Sequence, residues 1–366
     1  MQGETKMFYN SNWEKTKERF DAFWHQEMID RCCIAISVPE ESHRLYNSSS
    51  IKYNESDRFD AEYLLKQSLE DFENTYFAGD AFALLRYDLG PSGHAGFFKN
   101  AKLRFHADAN GKIHTWYEPS ILDWKTDQIE FDENSFLYNV FIEGTEYLAV
   151  EAKGRFVIAM PDSSGNIDAL AYLRGNENLM MDLIEAENDV IRALETIQKV
   201  WLDTTEWFHQ KVTANNDGGN CISWLSTYAK GRHQQIQCDE SVMFSSEMFD
   251  KFAVPEIKAK IDWADHSLYH FDGIEQIRHL DSLLGMKDLS AIQWTPVTGQ
   301  PGAENYLPEL KKIQAAGKSL VLHVNVDNIA FFLDHLSSKG LFLISYTDSK
   351  EAADYMVKTA EKRSKE

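Results

Sequence analysis

Between Gln234 and Pro301 the chain reads QIQCDESVMFSSEMF (235–249), SLYHFDGIEQIRHLDSLLG (267–285) and SAIQWTPVTGQP (290–301). Each segment is a short apolar run that ends in polar or reactive side chains and passes into a helix signal. In a parallel α/β architecture, side chains just beyond the C-terminal strand ends converge on one mouth, where ligands bind. Asp239, Glu240, His270, Asp272, Gln293 and Trp294 all fall at such positions. That placement predicts an enzyme.

The same rhythm continues to the C-terminus. Strand-like KSLVLHVN (318–325) and LFLISYTD (341–348) alternate with helical ENYLPELKKIQAAG (304–317), NIAFFLDHLSSKG (328–340) and SKEAADYMVKTAEK (349–362). Gly317 and Gly340, each closing a helix just before a strand, fit left-handed caps. Strands separated by helices require parallel pairing and crossover connections. Towards the N-terminus, RCCIAISVP (31–39), AFALLRYDLGPSG (81–93) and RFVIAMPD (155–162) read as further strands, and CISWLS (221–226) as another. Helices are expected near 12–29, 60–74 and 134–150, and through most of 168–212. Residues 99–133 break the pattern: AKLRFHAD, Ala-Asn-Gly and KIHTWYE alternate about a turn as a β-hairpin does. The count of about eight or nine strands suits a (β/α)8 TIM barrel. No GxGxxG or Walker motif follows any strand, which argues against an open dinucleotide- or phosphate-binding sheet. The expectation is one barrel domain over 1–366, with an N-terminal helix and the hairpin of 99–133 inserted at its mouth.

A chain of 366 residues is long enough for that core. Its formal net charge of −21 disfavours nucleic acid and anionic membranes, both of which need a basic patch. The four cysteines, Cys32, Cys33, Cys221 and Cys238, lie in apolar runs without a CxxC pair, as free thiols of a reducing compartment do. The first residues lack a signal-peptide core, and no apolar run reaches membrane-span length, so a cytoplasmic protein is expected. The stripe of Trp13, Phe20, Phe23 and Trp24 on the first helix is a packing face that could also serve a homodimer.

Among the candidate site residues, His270 and Asp272 stand two apart on one strand, so both side chains face the same space. They could ligate a divalent metal, form an acid/base pair, or be a buried histidine bonded to a structural aspartate. Of Asp239 and Glu240, one can face the mouth while the other, or Ser241, Ser245 or Ser246, caps the next helix. Asp88 ends a strand beside a Gly/Pro turn, where it could meet substrate or make an Asx turn. Gln293, Trp294, His323 and Tyr346 occupy later strand ends; Trp294 is a candidate platform or a barrel-top filler, and Trp116 a candidate wall on the hairpin. No GxSxG or HExxH motif supports hydrolysis by those routes.

From about Asp162 onward the chain resembles the uroporphyrinogen decarboxylase superfamily, which includes zinc-dependent methyltransferases serving corrinoid proteins. The resemblance is carried by GNENLMMDLIEAEND (175–189), by CDESVMFSSEMF (238–249) with Ser246 where the family has Pro, by HVNVDN (323–328) and by the closing LFLISYTDSKEAADYMVK (341–358). It implies a (β/α)8 barrel. The decarboxylases carry an Arg-rich N-terminal motif for an acidic tetrapyrrole; here that region offers only Arg44. The methyltransferases carry His-x-Cys after the fifth strand and another Cys after the last; here Asp272 follows His270, and Ser345-Tyr346-Thr347 holds no Cys. The resemblance therefore implies methyl transfer from a small methylated compound to a corrinoid protein, assisted by zinc on His270 and Asp272, with Asp239 and His323 auxiliary. A cofactor-free decarboxylase or lyase using Asp88 and Asp272, and a non-catalytic ligand-binding barrel, are the alternatives.

Overall fold

The computed structural model describes residues 12–40, 59–88, 90, 93–107 and 113–365, with backbone only at 106, 107, 113 and 114. Arg44 and the tip of the hairpin lie outside the described residues. The strands are β1 (Cys33–Pro39), β2 (Thr75–Gly79), β3 (Leu84–Leu85), β4 (Lys102–Ala107), β5 (Ile113–Glu118), β6 (Val157–Ile158), β7 (Gly219–Ile222), β8 (Thr227–Lys230), β9 (His233–Ile236), β10 (His266–Asp272), β11 (Ala291–Thr295), β12 (Ser319–His323) and β13 (Leu341–Tyr346).

Seven of them form one sheet in the order β2-β1-β13-β12-β11-β10-β9. The pairs from β1 to β9 are parallel, and β2 adds an antiparallel edge to β1. β3 and β6 pair in parallel by themselves, and β7 and β8 form a hairpin. The result is a mixed α/β fold with a mostly parallel central sheet. The backbone ladder of the described strands does not close into the expected barrel. Pro161 cannot donate to a ladder, which limits β6, and side chains supply bonds at the seams instead. Asp80 Oδ2 accepts from Ile34 N at 3.0 Å on the β1 side. Asn216 bonds both Ile158 N (2.9 Å) and Ile158 O (2.7 Å), and Asn220 Nδ2 reaches His233 O at 2.7 Å.

Strand residues alternate between two buried layers. Cys33, Leu268, Ala291, Val321 and Phe342 face one apolar cluster, while Cys32, Tyr269, Ile292, Leu320 and Leu343 face the other, under the helices. The neighbours Cys32 and Cys33 thus point to opposite faces, and all four cysteines are free and buried. The helix Trp13–Trp24 plugs the first layer where the strands begin. Phe20 meets Phe342 edge-on at 5.2 Å, and Trp24 Nε1 donates to Tyr228 O at 2.8 Å. Its aromatic stripe is buried within the chain. With the N-terminal strand ends covered, the C-terminal ends carry the polar residues. No helix among the described residues is long and apolar enough to cross a membrane.

Candidate active site

β10 ends at Asp272, and the parallel register sets His270 beside Gln293 and Asp272 beside Thr295 of β11. Gln235 lies within β9, and Gln237 and Asp239, at the same two-residue spacing, follow it beyond the last paired residue, Ile236. Asp239, His270 and Asp272 each offer a ligand atom within 4.8 Å of the others, the three-donor cluster found among the described residues.

The tautomer of His270 is fixed by its neighbour. Its Nδ1 lies 2.5 Å from Gln293 Oε1, an acceptor, so Nδ1 donates. The Gln293 amide nitrogen in turn donates to Thr295 Oγ1. This leaves Nε2 with its lone pair, the form in which imidazole ligates metal. Burial lowers the pKa of His270 and keeps it neutral, against the pull of Gln293 and Asp272. The indole of Trp224 packs edge-on against the imidazole at 4.7 Å.

Asp239 is held from two sides. Gln237 Nε2 donates to its Oδ2 at 2.8 Å, while Oδ1 is buried with no hydrogen-bond partner. Burial, then the charges of Asp168 and Asp272, push its pKa up to about 9. The turn carrying it is anchored by Asp168, whose Oδ1 accepts from Glu240 N at 3.0 Å and whose Oδ2 accepts from Gly165 N at 2.9 Å. Gly165 is needed there: a Cβ would come within 2.4 Å of Gln237 O. Glu240 faces away and accepts from Asn176 Nδ2 at 2.8 Å, and Ser245 caps the next helix by accepting from Met248 N.

A second polar group lies after β3 and β6. Asp162, 7 % exposed, accepts from Gln235 Nε2 at 2.5 Å. Gln235 also donates to Gln237 and accepts from Trp224 Nε1, so one amide chain joins Asp162 to Asp239. Burial, then the Asp88 charge, raises Asp162 to about 7. Asp88 itself accepts from Gly90 N (2.9 Å), from Asp162 N (3.4 Å) and from Arg86 Nη2 (3.3 Å), and is largely engaged in its turn.

These groups form one ring. Arg86 acts electrostatically on Asp162 and Tyr346. The Tyr346 ring stacks towards His323 at 6.5 Å, and His323 is near enough to His270 that a proton on one disfavours a proton on the other. His270 neighbours Asp272, Asp272 neighbours Asp239, and Asp239 feels Asp162. Tyr346 is 64 % exposed, yet burial still raises its phenol's pKa.

Two expected substrate contacts lie elsewhere. Gln293 is fully buried with both ends of its amide engaged, by His270 and Thr295, rather than turned to the solvent. Trp294 projects from the opposite face of β11, stacked on Phe271 at 4.8 Å beneath the helices, because adjacent strand residues face opposite ways. Trp116 sits on β5 opposite Arg104, 41 % exposed. Sequence reasoning missed Arg86, Asp162, Asp168, Gln235, Gln237 and Trp224. The two-residue spacing of Gln235, Gln237 and Asp239, and of Arg86 and Asp88, was the available signal.

No family model matches the chain, and no curated protein does. Among solved structures it is similar to a methyltransferase from Methanosarcina mazei, with 13 % identity and a TM-score of 0.61 over 95 % of this chain and 98 % of that one. It is also similar to a B12-independent methionine synthase from a Shewanella species, with 9 % identity and a TM-score of 0.47 over 82 % and 86 %. The likeness to the first is one of fold across nearly the whole of both chains.

Proposed function

We propose that this protein transfers a methyl group from a small methylated compound to a corrinoid protein, with zinc held by Asp239, His270 and Asp272. The observation that carries the reading is the trio itself. One imidazole with a fixed, unprotonated Nε2 and two carboxylates, one with a buried and unpartnered oxygen, make a donor set suited to a divalent cation. Three protein ligands would leave a fourth position for substrate, as in catalytic rather than structural zinc sites. Zinc bound there supplies Lewis acidity towards the heteroatom that carries the methyl group. The chain's own residues set the geometry: Gln293 aims His270, and Asp168 and Gln237 hold Asp239. The oxygen-rich set suits an ether or amine donor better than the thiolate sites that activate thiols. The corrinoid acceptor rests on the sequence resemblance, and the shared fold with the Methanosarcina mazei methyltransferase supports methyl transfer.

A second reading, a cofactor-free decarboxylase or lyase, is favoured by one observation: Asp162 and Asp239 both retain protons near neutral pH. Elemental analysis after zinc loading separates the two. About one zinc per chain, lost in His270→Ala, supports the first. No bound metal in either protein overturns it and leaves proton transfer by the aspartates.

A further inference from the structure

We propose that the mouth selects a substrate bearing an anionic group, a carboxylate or similar oxyanion, which Arg86 seats across from the Asp239–His270–Asp272 trio. The inference deepens the methyl-transfer reading and rests on it only for what is transferred.

Arginine binds carboxylates best through two parallel N–H bonds of its planar fork. The arginines that hold this fold together use it. Arg31 meets Asp80 through Nη1 (2.5 Å) and Nη2 (3.2 Å), and Arg19 meets Asp30 through Nε (2.9 Å) and Nη2 (2.8 Å). Arg174 meets Asp182 at 2.5 and 3.3 Å, and Arg232 meets Glu206 at 2.9 and 3.3 Å. Arg86 does not follow them. Among the described residues its one hydrogen bond is the 3.3 Å contact from Nη2 to Asp88, although Asp88 is already satisfied by Gly90 and Asp162 backbone N–H groups. Among the described residues the rest of the guanidinium has no hydrogen-bond partner.

Its position points the same way. The Arg86 side chain is 46 % exposed, and it shares the ring of the mouth with Tyr346, whose hydroxyl is a second donor for an anion. The other ring residues are carboxylates or neutral histidines, so among the described residues Arg86 is the ring's fixed cation. Asp88 holds its pKa above the usual value, so the charge persists at any working pH. A small molecule with an anion at one end and a methylated heteroatom at the other would meet Arg86 and the trio at once.

The test is a calorimetric and NMR titration with acetate, and with acetamide as its neutral counterpart, on wild type, Arg86→Gln, Arg86→Lys and His270→Ala. Expected are millimolar binding of acetate over acetamide, a loss of about tenfold or more in Arg86→Gln, partial recovery in Arg86→Lys, and retention in His270→Ala. Thermal unfolding of each variant confirms that it is folded. Acetate that binds Arg86→Gln as it binds wild type, acetate lost only in His270→Ala, or no binding to wild type each overturns the proposal. A chain that holds zinc but ignores acetate keeps the methyl-transfer reading and loses this one. A chain that binds acetate through Arg86 but no metal does the reverse.

Discussion

His270 and Gln293, paired across β10 and β11, form a unit in which one side chain decides what the other can bind. Gln293 Oε1 accepts a hydrogen bond from His270 Nδ1 at 2.5 Å, and its amide nitrogen donates to Thr295. The other ring nitrogen, Nε2, therefore keeps its lone pair, on a side chain that shares a three-donor cluster with Asp239 and Asp272. Replacing Gln293 by Met keeps the volume and removes the acceptor. Zinc affinity is expected to fall by about 10- to 100-fold, while the fold persists. Competition titration with a chromophoric chelator measures it, and unchanged affinity would show that packing against Trp224 alone orients the ring.

Asp162 sets a pH dependence. Its folded pKa of about 7 lies above that of an unfolded aspartate, about 3.9. Between those values the folded state holds the extra proton, so the group's contribution to stability is full below pH 4 and declines as pH rises towards 7. Asp162→Asn can still accept from Gln235 and does not titrate. Its stability relative to wild type should rise by roughly 1–3 kcal/mol from pH 4 to pH 8. Urea unfolding at the two pH values checks this, and a flat difference would sink it. Glu240 and Glu256, also raised by burial, are common to both proteins and drop out of the comparison.

How much of this was legible in sequence differs by element. β10 to β13 and their helices are visible because long apolar runs and helical periodicity agree; Gly317, with φ of +71°, follows its helix end as a cap does, whereas Gly340, with φ of +62°, lies in the turn after a helix that ends at His335. β3 and β6 are overread, because their apolar runs extend beyond two paired residues and the seam bonds come from Asn216 and Asp80, which local pattern does not reveal. In the site, His270 and Asp272 are found by strand spacing. Asp162 and Arg86 come from segments more than 70 residues earlier in the chain, and only the tertiary fold places them at the same mouth. Trp294 is misjudged because an aromatic at a strand end carries no sign of which face it takes until the register is known.

The helix Trp13–Trp24 acts as a stopper for the inner apolar layer. Phe20 is fully buried and contacts Phe82 and Phe342 edge-on. Phe20→Ala is expected to cost about 3–5 kcal/mol, because the rings around it cannot close the cavity. Denaturant unfolding measures the loss. Zinc bound per folded molecule should stay at the wild-type value, since the trio lies at the opposite ends of the strands.

Lys260 and Glu256 form a buried pair one helical turn apart, 1 % and 3 % exposed, with Nζ 3.8 Å from Oε1. Lys260 also lies 4.9 Å from the Trp201 ring centroid and donates to Ser164 O at 3.4 Å. Both Glu256 oxygens accept from Asn166 N, at 3.1 and 2.9 Å, at the start of the helix whose Asp168 anchors Asp239. Removing one partner strands the other in a dry interior. Lys260→Met and Glu256→Gln should each cost about 3–5 kcal/mol at pH 8, where Glu256 is ionised, and the double variant clearly less than their sum. A double-mutant cycle by urea unfolding gives the coupling. Strict additivity would mean that each residue serves its own contacts, Lys260 with Ser164 and Trp201 and Glu256 with the Asn166 backbone, and that the pair contributes nothing to holding the helix that positions the site.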